Sequence, residues 1–154
     1  MKFNPSSITY IEWRDPEGLH EDSITCISEL KFVKDELKFL SDLVTAHTLD
    51  LISEEHYEQS KKLVGAISEL KKDLKTLLKN LMLHSNNLES LVDDIDIPDE
   101  EDEYKAAHYK LMFESVSFLS KFKKVKRRVF RMIKTILKDK KKRKLLKPRE
   151  GETS

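Results

Sequence analysis

Histidines stand where a helical hydrophobic repeat would normally carry leucine, at His47, His56, His84 and His108, while His20 lies one residue beyond the repeat position Leu19. Imidazoles that converge from facing helices can ligate zinc, and nearby acids such as Glu17, Glu21 and Glu89 could add oxygen ligands. Folding the chain back near residue 52 brings His47 close to His56 and carries His20 toward His84. A second reversal near Pro98 brings His108 to within about a heptad of that layer. His20, His84 and His108 are therefore the candidate metal ligands, with zinc as the candidate ion. The motif is weak: Glu17 with His20 is the nearest same-helix pair, and the paired spacings of bundle metalloproteins are not met. The simpler expectation is that seam histidines pair with serine or carboxylate, sit near bundle ends and set helix register, so that no cofactor is bound.

Other catalytic constellations are poorer. Cys26 falls among leucines, which suits an inert core thiol better than a nucleophile. With only 3 glycines in the chain, a backbone loop cradling phosphate is excluded, and no strand-to-helix nucleophile elbow is evident. The acidic run DDIDIPDEEDE, residues 93 to 103, lacks the central glycine and ligand spacing of a calcium loop and reads as a solvated hairpin. No catalytic residue is assigned, and the chain is expected not to be an enzyme.

The remaining chemistry is cationic. Residues 121 to 146 read KFKKVKRRVFRMIKTILKDKKKRKLL, and the net charge of +1 hides a polarised chain. Residues 1 to 120 carry 13 basic and 25 acidic side chains, whereas residues 121 to 154 carry 16 basic and 3 acidic ones. Candidate anion- or partner-binding residues are Lys123, Lys124, Arg127, Arg128, Arg131, Lys140, Lys141, Lys142, Arg143 and Lys144. They can serve as a solubilising face, as an anion-binding surface, or as a contact for a membrane surface or protein. Nucleic acid would be bound through phosphates and without regard to sequence, because the overhang lacks base-stacking aromatics and no recognition-helix motif is present. Head-to-tail self-association, acidic hairpin to basic end, is a related option.

Three amphipathic elements must position these groups. A 3,4 alternation runs through Leu19, Ser23, Cys26, Leu30, Val33, Leu37, Leu40, Val44, His47 and Leu51, introduced by Asp15 as N-cap and Pro16 at the first helical position. A second runs from His56 through Leu63, Leu70, Leu77 and His84 to Ile95, with Ser53 as N-cap and Pro98 beyond its end. The third joins Tyr104, His108, Leu111, Ser115, Phe118, Phe122, Val125, Val129, Met132 and Ile136. Short connections make sequential helices antiparallel. The expected fold is all-α: three long helices, about 16–51, 54–96 and 100–145, in an up-down-up, coiled-coil-like bundle spanning 15–146.

An extended N-terminal arm, 1–14, carries Phe3, Ile8, Tyr10, Ile11 and Trp13, and 147–154 is expected to be a flexible tail. Apolar residues beside the seams, among them Phe39, Leu43, Leu78, Phe130 and Ile133, either widen the stripe toward two neighbours or leave a spare groove or dimer face. Pairing about Pro98 sets residue 139 beside Ser60, so 139 to 147 should project past the bundle. No stretch approaches the roughly 18 apolar residues of a membrane span, and a lone cysteine asks for no oxidising compartment. The expected protein is a cytoplasmic binding or scaffold module that contacts an unidentified protein or anionic surface, with a metal-binding bundle as the alternative.

Overall fold

The computed structural model describes residues 16–51, 56–93 and 98–146. Within them the chain is helical, as α1 (Pro16–Ala46), the single turn α2 (Thr48–Leu51), α3 (Tyr57–Asp93) and α4 (Pro98–Leu146), with no strand among the described residues. The expected arm, the tail, the cap at Ser53 and much of the acidic hairpin lie outside them.

Cross-helix contacts fix the topology as up-down-up. Asp22 meets His108, Glu36 meets Lys126 and Asp50 meets Lys140, so α1 and its α2 continuation run parallel to α4. Against α3 the direction reverses, since His84 meets His108 while His56 meets Asp139. Helix α3 packs along both neighbours, and α1 and α4 touch each other less.

Burial follows the repeats. Leu19, Cys26, Leu30, Leu37, Leu40, Leu74, Leu81, Phe122, Val129 and Ile136 form one core with the other seam positions. Two details depart from strict spacing. Met112 is buried while Leu111 is only partly so, and Leu78 and Ile133 add a second buried position beside the seam. A helix in contact with two neighbours needs a stripe wider than a strict heptad seam. Ile27, Leu43 and Leu119 also pack against the core, whereas Phe39, Met82, Phe130 and Leu137 stay exposed, so the widened stripe explains part of the apolar surplus.

Helix ends differ from expectation in ways the local chemistry explains. The first helix does not run unbroken to 51, because it stops at Ala46. Thr45 and Thr48 donate their hydroxyls to the carbonyls of Ser41 and Thr45, and the His47 amide donates to Val44 at 3.2 Å, closing a tighter turn. Helix α3 starts at Tyr57, after a turn in which the Ser60 amide donates to the His56 carbonyl. Pro98 is the first residue of α4, where its missing N–H removes no helical bond.

The α3–α4 register is shifted by about one turn from the sequence-based pairing: Asp139, and not a residue near 143, lies beside His56. Asp139 and Lys140 are nonetheless held by the bundle, through His56 and Asp50, and the overhang begins at Lys141 instead of 139. Residues 141 to 146 are all exposed. No helix among the described residues is long and apolar enough to cross a membrane.

Candidate functional site

Near the start of α1, seam positions on all three long helices are polar, and they find one another. Nε2 of His84 lies 2.9 Å from Nδ1 of His108, whose other nitrogen, Nε2, is 3.6 Å from the Asp22 carboxylate. A carboxylate favours the N–H on the nitrogen it faces, which leaves Nδ1 of His108 as the acceptor and makes His84 the donor. Ser23 donates its hydroxyl to the Leu19 carbonyl at 3.0 Å, and its oxygen stands 3.5 Å from the same Nδ1. Tyr104 closes the layer by stacking on His84, with ring centroids 4.0 Å apart, and by donating its hydroxyl to the His84 carbonyl at 3.0 Å.

Burial sets the protonation states. It is the main reason that His84 titrates only at about 4, with the neighbouring His108 pushing in the same direction. His84 is therefore neutral at pH 7. Burial also raises the Tyr104 phenol, keeping it a hydrogen-bond donor. With His108 at 0% exposure, no solute reaches its ring, and the layer is suited to fixing register, not to turning over a substrate.

Of the candidate zinc ligands, His84 and His108 are brought together, but their facing nitrogens bond to each other. His20 sits half-buried one turn before Ser23, and no hydrogen bond or ion pair joins it to either among the described residues. Asp22 and Ser23 take the place expected for His20. No group of three or more His, Cys, Asp and Glu side chains among the described residues is arranged to hold a metal ion. His47 and His56 do not meet each other either; they lie against Asp50 and Asp139, respectively. Cys26 is a buried thiol raised to about 11, chiefly by desolvation, with a hydrogen bond to Ser115 opposing the shift.

The cationic candidates lie at the other end of the bundle, on the faces of α4 turned from the core. Lys123, Lys124, Arg127, Arg128, Arg131 and Lys141 to Lys144 are exposed, and none of them pairs with a carboxylate among the described residues. Lys140 differs, because it holds Asp50 at 2.8 Å and depresses that carboxyl below its usual range. Lys126, which points toward α1, pairs with Glu36 and lies over the Phe122 ring.

Between α3 and α4 a cleft of about 380 Å³ is lined by His56, Gln59, Lys62, Leu63, Arg128, Arg131, Met132 and Thr135. The sequence pointed to Arg128 and Arg131, and to His56 only as a seam histidine, but missed Lys62 and Gln59, which lie about seventy residues earlier on α3. Their signal was positional: Lys62 precedes the seam residue Leu63, and so flanks the α4 interface. Comparison with family models, curated proteins and solved structures found no match.

Proposed function

We propose that the protein is a non-enzymatic helical-bundle module that binds an anionic partner through the basic half of α4, in a reducing compartment such as the cytoplasm. The observation that carries this reading is how few of these cations have a carboxylate partner among the described residues. The chain holds 28 acidic residues, nearly enough for every one of its 29 cations. Yet along α4 beyond residue 120, only Lys126 and Lys140 are paired with a carboxylate among the described residues. Like charges three and four residues apart, such as Lys124 with Arg128 and Arg127 with Arg131, weaken a helix by a few tenths of a kcal/mol each. Such a stripe concentrates positive potential where an anionic surface can meet it, and its affinity falls steeply with salt.

A cation-exchange column tests the reading, because a net charge of +1 gives no reason for tight retention unless the cations act as a patch. The full chain is expected to be retained on a phosphocellulose or heparin resin at low salt. Replacing Lys141, Lys142, Arg143 and Lys144 together by glutamine should lower the eluting salt concentration without moving the melting midpoint, since all four are exposed. A full chain that passes unretained at low salt would overturn the reading.

A further inference from the structure

Flanking positions at a packed helix interface ordinarily carry opposite charges across the seam. The α1–α4 interface obeys this, with Glu36 facing Lys126. The α3–α4 interface breaks it: Lys62 of α3 and Arg128 and Arg131 of α4 converge on the same cleft, none of the described residues lining it is acidic, and none of these three cations is paired with a carboxylate among the described residues. Asp139 approaches one end of the cleft but is directed at His56. Three cations therefore share a concavity large enough for a small ligand, against ordinary interface practice.

From this juxtaposition we infer that the cleft is a binding site for a phosphomonoester group, held between Lys62 on one wall and Arg128 and Arg131 on the other. The inference rests on the anion-binding reading of α4 and narrows it to one place and one chemistry. Arg128 and Arg131 are three residues apart and so present neighbouring guanidinium forks on one face of α4, a geometry that matches phosphate oxygens bidentately. Lys62 supplies a point charge from the opposite wall. A phosphomonoester carries close to two negative charges at neutral pH and answers three cations better than a carboxylate or a phosphodiester does. Gln59 and Thr135 add neutral hydrogen-bonding groups to the walls. Leu63 and Met132 give the cleft an apolar floor, where water screens the attraction less than at an open surface. The volume of about 380 Å³ accommodates a terminal phosphate with a small body attached, and it is too small to take in a duplex backbone. A soluble phosphorylated metabolite and a lipid headgroup with a terminal phosphate share this chemistry.

Calorimetric titration of the full chain with inorganic phosphate and with glycerol phosphate, together with flotation on phosphatidylcholine vesicles with or without phosphatidic acid, tests the inference. Binding to at least one phosphomonoester probe is expected, weakened at least tenfold by R128Q/R131Q and by K62Q. A charge-matched control, K71Q/K72Q, removes two exposed cations of α3 outside the cleft and should change it by less than twofold. Binding of the soluble probes would identify a free ligand, and binding of phosphatidic acid vesicles alone a headgroup; either outcome supports the site. Equal weakening by the cleft and control variants would overturn it while leaving the broader anion-binding reading standing. Failure of every phosphomonoester probe, with column retention intact, would overturn it as well. Loss of retention too would remove both. Unchanged melting midpoints confirm that the variants remain folded, as expected from the exposure of all five side chains.

Discussion

The two ends of this bundle treat polar groups in opposite ways. Around His84 and His108 the polar side chains are turned inward against one another and against backbone carbonyls, with Asp22, Ser23 and Tyr104 completing the layer. Between about 20 and 55 Å along α4, at ~1.5 Å per residue, cations are turned outward or into a cleft, and most of them have no carboxylate partner among the described residues. A buried polar network stabilises only when its members satisfy one another, whereas unpaired surface charge adds nothing to a fold and is free to meet a ligand. The first region specifies how the helices align, and the second is available for recognition.

The sharpest way to break this contrast is to cut the buried layer. Replacing His108 by alanine removes a side chain at 0% exposure and takes a buried partner from both His84 and Asp22, so a loss of about 3 to 5 kcal/mol in urea unfolding is expected. Removing the network as a unit should be far milder. In D22A/H84L/H108L the histidine pair and the carboxylate beside it are removed together, and stability should return to within about 1.5 kcal/mol of the parent. A loss below about 1 kcal/mol for H108A would mean that the layer does not hold the fold together.

Acid should act on one end of the molecule and spare the other. Unfolded His84 takes up a proton near 6.5, but the folded residue does so only at about 4. Between those values the unfolded chain binds more protons, so stability is full above pH 6.5 and declines as the pH falls toward 4. The groups facing His84 are His108 and Tyr104 of α4, with Asp22 of α1 beyond them. Its contribution to the decline is at most about 3 kcal/mol over the window, and less if water enters the layer. The D22A/H84L/H108L protein should show a flatter pH profile, and an unchanged slope would assign the acid sensitivity to other groups.

Much of this arrangement was legible in the sequence because helical burial is periodic. The three seams predicted the core from Leu19 to Ile136, and Ser23, Ser60, His84, His108 and Ser115 on them are buried, whereas His47 and His56 are only partly so and the buried Asp22 lies beside a seam. Register was less legible. A repeat of three and four residues fits a neighbouring helix equally well one turn away, and this is the size of the error that set Ser60, not His56, beside Asp139. The same shift explains why Ser23 and Asp22 meet His108 where His20 was expected. Partners such as Tyr104 for His84, or Lys62 for Arg128, depend on which faces turn toward each other across helices, and no local pattern records that.

The mildest test probes the boundary between the two regimes. Glu36 and Lys126 form a pair that is half-exposed, at 24% and 38%, so it is neither locked into the buried network nor left to solvent. Water and salt screen it, while the Lys126 stem gains some contact with the Phe122 ring. Replacing Glu36 by glutamine should cost less than about 1 kcal/mol in low salt, and the difference from the parent should vanish near 1 M salt. Because Glu36 offsets a cation on α4, its loss should also strengthen retention on an anionic resin slightly. A cost above about 2 kcal/mol that persists in high salt would place this pair with the buried layer and move the boundary toward the basic end.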